Sequence, residues 1–257
     1  MNPEKRKAEI ADWVRREGFV SVEDLAERFT VTTQTIRRDI NQLSEAGVLF
    51  RRHGGVEPMT VMANLTYGVR QVLNLDLKRK LASLAVQHIP DNSVLAFSIG
   101  TTPEIVAQAL AGKKNLTVMT NNLSVGMACL GFEGCRVHIA GGEIRASDRD
   151  IVGSEASAFF EKYKVDIGIF GIGGLDPSGH LLDFHEEEVM ARSAILANCR
   201  TSFLVMDHTK LNRPAHVRGG HITDVDYVFC DKALPEDLEK MLKEAGTRII
   251  HAEMENG

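Results

Sequence analysis

The chain has 257 residues, 44% of them apolar, and a formal charge of −5 from 30 basic and 35 acidic side chains. That length suggests one small and one larger domain, each able to bury a proper core. No apolar run approaches membrane length, Met1-Asn2-Pro3-Glu4-Lys5 is no signal peptide, and Cys129, Cys135, Cys199 and Cys230 form no CxxC pair. A cytoplasmic, metal-free and cofactor-free protein with buried free thiols is therefore expected.

In chain order, Ile10, Trp13 and Val14 mark a first helix that Gly18 ends. Ser21 is a natural N-cap for a second, whose apolar positions Val22, Leu25, Ala26 and Phe29 keep the helical period. Thr30-Val31-Thr32 leaves room only for a tight turn, with a threonine placed to cap a third helix. That helix has two faces. Ile36, Ile40 and Leu43 form an apolar stripe, while Gln34, Arg37, Arg38 and Asn41 lie on the opposite side at about 100° per residue. The outward residues are types that bond base edges and phosphates in a DNA major groove. For an isolated helix a merely solvated face would be the better reading, but its neighbours decide otherwise. Gly47 fits the helix end, and Val48-Leu49-Phe50 followed by Arg51-Arg52-His53-Gly54-Gly55 fits a β-wing whose arginines sit over phosphates. Thr33, Gln34, Thr35, Arg37, Arg38, Asn41, Arg51, Arg52 and His53 are the candidate contacts to a double-stranded operator. Residues 1–57 carry equal numbers of basic and acidic side chains, so the footprint is local and the whole acidic excess lies in residues 58–257.

These residues carry a resemblance. LAERFTVTTQTIRRDINQLSEAG, closing with RRHGG, is similar to the winged helix-turn-helix of the DeoR family of bacterial transcriptional regulators.

Residues 58–92 read as a linker and connector helix. Pro58 opens it, Leu73, Leu77, Leu81, Leu84, Ala85 and Ile89 share one face, and Pro90-Asp91-Asn92-Ser93 ends it as a turn. This helix is expected on the larger domain, on a partner subunit, or on both. From Val94 the pattern alternates. Strands are expected at Val94–Ile99, Leu116–Met119, Arg136–Ala140, Val165–Ile172, Phe203–Met206, Tyr227–Cys230 and Arg248–Ile250. Helices are expected at Pro103–Leu110, Leu123–Leu130, Ala156–Lys162, Val189–Ala197 and Glu236–Ala245. Repeated βα units make residues 93–257 a Rossmann-like α/β domain with a mostly parallel sheet covered on both faces.

Ligands of such sheets bind at the carboxyl ends of strands. Those junctions hold Ser98, Gly100, Thr101 and Thr102, then Asn121 and Asn122, Gly141, Gly142 and Glu143, Gly173, and Asp207 with Lys210. Gly100 permits close backbone approach, the following helix offers free N–H groups to an anion, and Lys210 adds full charge. Taken singly, Gly-Thr-Thr is often only a cap, Gly141-Gly142 a turn and Lys210 a surface cation; together they describe a pocket for a small phosphorylated, hydroxyl-rich molecule. The Gly171-Ile172-Gly173-Gly174 run leads into the turn Asp176-Pro177-Ser178-Gly179 rather than a helix, which excludes a nicotinamide site.

SIGTTPEIVAQAL, TNNL, AGGEIR and DHTKLNR extend the resemblance to the DeoR-family sensor domain, related in fold to ribose-5-phosphate isomerase and CoA-transferases. It implies a repressor of carbon metabolism that leaves its operator when a phosphorylated metabolite binds, with glycerol 3-phosphate the first candidate. It also adds Lys78 and Glu188 to the site. Ser98 departs from the family's aspartate, His185 and Met190 from the charged residues around Glu188, and Leu211 from an aromatic. The alternatives are a regulator answering another sugar phosphate, or an isomerase-like enzyme drawing on Asp176, Asp183, Glu186, Glu187, Glu188 and Lys210. A reading head has no purpose in an isomerase, and it also implies paired half-sites, hence a homodimer or tetramer.

Overall fold

The computed structural model describes residues 3–45, 48–58 and 67–252, which divide into two compact units at Val69/Arg70. Gly47 and the linker just after Pro58 lie outside the described residues.

The first unit runs α1 (Pro3–Glu17), β1 (Val20–Ser21), α2 (Val22–Phe29), α3 (Thr33–Glu45), β2 (Leu49–Arg52) and β3 (Gly55–Pro58). The Ser21 hydroxyl accepts from the Asp24 amide at 3.0 Å, satisfying one of the orphan donors that begin α2. Thr30 ends α2 in a left-handed conformation at φ 53°, and Thr32 Oγ1 accepts from the Thr35 amide at 3.2 Å to start α3. Val14, Leu25, Phe29, Ile36, Ile40, Leu43, Leu49 and Val56 close one core, as their periods require. A buried ion pair between Arg6 and Asp39, 2.6 Å apart, ties α1 to α3. The wing is a hairpin with a two-residue turn, His53-Gly54, in which Gly54 takes φ 80°. β1 pairs with β3 so closely that a Cβ at Gly55 would sit 2.4 Å from the Val20 carbonyl oxygen.

Helix α4 (Tyr67–Val72) spans the division between the units. The second unit continues with α5 (Leu75–Gln87), β4 (Val94–Phe97), α6 (Thr101–Gln108), β5 (Thr117–Thr120), α7 (Leu123–Cys129), β6 (Arg136–Ile139), β7 (Ile144–Arg145), β8 (Asp150–Ile151) and α8 (Ser154–Glu161). Then come β9 (Val165–Phe170), β10 (Gly174–Leu175), β11 (His180–Asp183), α9 (Glu186–Asn198), β12 (Cys199–Met206), β13 (Val217–His221), β14 (Tyr227–Cys230), α10 (Glu236–Ala245) and β15 (Arg248–His251). The expected parallel sheet has seven strands in the order β15-β14-β12-β9-β4-β5-β6. Alternate strand residues serve its two faces. Leu95, Phe97, Val118, Phe203 and Val205 pack with α5, α6 and α7, whereas Ala96 and Met119 pack with α8 and α9. Leu204, Met206 and Val228 join α10 and the β10–β11 hairpin in a third cluster. The connector helix α5 buries Leu81, Ala82 and Ala85 in this unit's own core, leaving Leu77 and Leu84 half-buried.

Two small sheets, β7-β8 and the antiparallel β10-β11-β13, have no counterpart in the sequence reading. Their strands are two to five residues long and β13 contains Gly219-Gly220, too little pattern to show a period of two. The helix expected at Pro103–Leu110 ends at Gln108 and tightens into a 3-10 turn over Ala109–Gly112. All four cysteines are free; Cys129 and Cys230 are buried, their thiols pushed up to about 12 chiefly by burial, while Cys135 and Cys199 are only half-buried.

Candidate functional site

On the first unit the outward stripe of α3 is open to solvent at Thr33, Gln34, Arg37, Arg38 and Asn41, as are Arg51, Arg52 and His53 on the wing. Helix and wing are joined across this face, since Arg51 Nη1 donates to Asn41 Oδ1 at 2.8 Å. Arg52 pairs with Glu57 at 2.9 Å and lies over the Phe50 ring. Thr35 is less available, because its hydroxyl and amide both meet the Thr32 side chain. Four arginines and three amide or hydroxyl side chains on one helix-and-wing surface present the donors that phosphates and base edges accept.

On the second unit the carboxyl ends of β4, β9 and β12 converge with α4 and α5 on a nest of cations. Asp207, 2% exposed, follows β12 and accepts from the Thr209 amide at 3.0 Å, from the Thr209 hydroxyl, and from Asn74 at 3.4 Å. Burial would raise its carboxyl, but Lys210, the Thr209 bonds and Lys78 together hold it below the usual range. Lys78 is 4% exposed; its ammonium donates to the Arg70 carbonyl and, at 3.2 Å, to Thr101 Oγ1. Burial, opposed by Asp207 and reinforced by Arg70, brings it down to about 8. Lys210, only half-buried, falls to about 7 through desolvation, Arg213, Arg70 and Lys78, against the pull of Asp207. Arg213 is likewise lowered by burial and by Arg70. Three cations face one carboxylate, Arg70 disfavours the charge of all three, and such a cluster is one that an anion would relieve.

Beside it runs a second charged group. Arg145 donates to Asp150 at 3.0 and 2.7 Å and to Glu188 at 2.9 Å, and lies 3.6 Å from Asp148. Burial would lower its guanidinium, but the three carboxylates raise it. Asp148 also accepts from Arg70 Nη2, which links the two groups. Asp183 is committed to Arg192 and, at 2.7 Å, to the Gly173 amide, and Arg213 Nη1 donates to the Gly173 carbonyl at 3.1 Å.

The sequence candidates fare unequally. Lys78, Thr101, Asp207 and Lys210 come together, with Gly100 at φ 116° opening α6 beside them. Asn122 is a structural residue: its side-chain oxygen caps α7 through Ser124 and Val125, and its nitrogen donates to the Gly100 carbonyl at 3.1 Å. Asn121 is fully buried and donates to the Ile151 carbonyl, but its Oδ1 has no hydrogen-bond partner. Ser98 is 3% exposed and turns its hydroxyl to the Ile99 carbonyl; Thr102 is buried beside Thr101. Gly141, Gly142 and Glu143 form an exposed turn, and Glu188 answers Arg145. Sequence reasoning missed Arg70, which no motif marks. It also passed over Arg145 and Arg213, although both stand inside the segments AGGEIR and DHTKLNR. Of the carboxylates considered for isomerase chemistry, Asp176 caps the β10–β11 turn, Asp183 and Glu188 are locked to arginines, and Glu186 and Glu187 are exposed.

A model of the DeoR-like helix-turn-helix domain matches residues 6–60, and one of the DeoR C terminal sensor domain matches residues 73–232. The glycerol-3-phosphate regulon repressor of Escherichia coli (strain K12) is 39% identical over 242 residues, covering 94% of this chain and 96% of its own. Its Haemophilus influenzae counterpart is 36% identical over 97% of each chain. The transcriptional repressor CsqR of Escherichia coli (strain K12) is 32% identical over 92% of this chain and 91% of its own. Among solved structures, a D-ribose-5-phosphate isomerase in complex with phospho-erythronic acid aligns with TM-score 0.39 and 14% identity over 53% of this chain and 54% of that one.

Proposed function

The chain belongs to the DeoR family of DNA-binding repressors, and from that premise we propose that a small phosphate ester, glycerol 3-phosphate first, releases it from its operator. The observation that carries this reading is the cluster of Lys78, Lys210 and Arg213 around Asp207, next to the Gly100-Thr101 start of α6. Such a site favours a compact dianion over a neutral polyol. Asp207 and the hydroxyl of Thr101 supply acceptors for the ester's own hydroxyls. No carboxylate among the isomerase candidates is placed as a free base beside Lys210, so the reading is of a sensor rather than an enzyme. The operator is a duplex with paired half-sites, bound by an even-numbered homo-oligomer, because one wing and one helix read too few base pairs for useful specificity.

The test is operator release. Glycerol 3-phosphate, but not glycerol, is expected to weaken DNA binding about 5- to 150-fold, the usual range of coupling. Lys210→Ala and Thr101→Ala are expected to bind DNA normally and to ignore the ester. Release by free glycerol, or a full response in both variants, would overturn the assignment.

A further inference from the structure

Arg70 occupies two positions at once in the charge map. Its guanidinium is near enough to depress Lys78, Lys210 and Arg213, and its Nη2 donates to Asp148, outside that cluster. Asp148 is 9% exposed and has a second cation at hand, since Arg145 Nε lies 3.6 Å from its other oxygen. If Arg70 left, the carboxylate would keep Arg145 and the Ser147 hydroxyl at 2.8 Å, so the exchange leaves no buried charge orphaned. Arg70 is also the first residue of the second unit, on α4, whose residues 67–69 are counted with the first. Its carbonyl is gripped by Lys78 and by the Thr101 hydroxyl at 3.3 Å, both members of the anion pocket.

We propose that Asp148 is an internal competitor for the effector, holding Arg70 in the empty protein and surrendering it to the ester's phosphate. This rests on the anion pocket assigned above. The ligand gains a second planar two-pronged donor beside Arg213, and the same exchange releases the side chain at the start of the second unit. Binding and signal are thereby one event at Arg70.

The experiment is a double-mutant cycle with glycerol 3-phosphate as the probe, read by calorimetric affinity and by the concentration that half-releases the operator. Asp148→Asn removes the competitor and is expected to tighten glycerol 3-phosphate binding about tenfold, with half-release at correspondingly lower concentration. In an Arg70→Gln background the same substitution is expected to change affinity less than twofold, a dependence that a merely structural Asp148 would not show. An unchanged or weakened affinity in Asp148→Asn, a gain that persists without Arg70, or a variant that does not fold each overturns the proposal. Lys210→Ala separates the two readings. Wild-type binding abolished by Lys210→Ala but insensitive to Asp148→Asn leaves the pocket and removes the competitor, whereas a wild-type protein that does not bind the probe removes both.

Discussion

Arg38 and Lys210 illustrate opposite uses of a basic side chain. Arg38 is exposed on the rigid outward stripe of α3, two residues from the buried Ile36 and Ile40 that fix its direction. Arg38→Ala is expected to weaken operator binding by about 1–3 kcal/mol, at least several-fold in a mobility-shift titration at fixed salt, with effector affinity unchanged. Lys210 is instead held where its charge is disfavoured. Its folded-state value of about 7 lies below that of the unfolded chain, so the unfolded state binds more protons between pH 7 and about 10. Stability from this group therefore rises as pH climbs through that window and is lost as pH falls to 7. Thermal midpoints of the wild type should climb more steeply from pH 7 to 9 than those of Lys210→Met. An anion restores the lysine's charge, so ester binding at pH 8, where the phosphate is already dianionic, should draw protons from the buffer. Equal calorimetric enthalpies in buffers of different ionisation heat would contradict this.

At the scale of elements, the wing depends on a single close approach. A Cβ at position 55 would meet the Val20 carbonyl at 2.4 Å and the Phe19 ring at 2.6 Å, so Gly55→Ala must push β1 and β3 apart. An overpacking penalty of about 1–3 kcal/mol is expected in the first unit, with operator affinity falling as Arg51 and Arg52 lose their frame. An unaltered melting profile would contradict it. The helices and long strands were legible in the sequence because each repeats its apolar residues over several turns or alternations: α3 through Ile36, Ile40 and Leu43, and β9 through Val165, Ile167 and Ile169. The anion pocket was legible only in part. Gly100, Thr101, Asp207 and Lys210 follow strands directly, where ligands of such sheets sit. Arg70 lies on a six-residue helix with no motif, and only the packed structure shows whose charge it meets. Asn122 misled for a related reason, since a cap and a ligand donor carry the same side chain and differ only in what they touch.

For the whole molecule, the order of the seven-stranded sheet sets a sequence of events in time. Strand β4, at residues 94–97, lies between β5 and β9, and β9 in turn needs β12, which ends at Met206. The parallel sheet thus cannot assemble until more than a hundred residues beyond β4 have been made, about 5–20 s of synthesis at common elongation rates. The wing that closes the first unit's sheet is complete in chain by Pro58, and its pairings lie only tens of residues apart. Trp13 is the single tryptophan, and it packs edge-on against Phe29 in that unit, so its fluorescence reports the reading head alone. On dilution from denaturant, Trp13 emission should recover before the capacity to bind glycerol 3-phosphate does; simultaneous recovery would refute the ordering. The nascent chain consequently forms its reading head first and its ear for a metabolite last, and each newly made molecule passes through an interval in which the one unit is folded and the other is not.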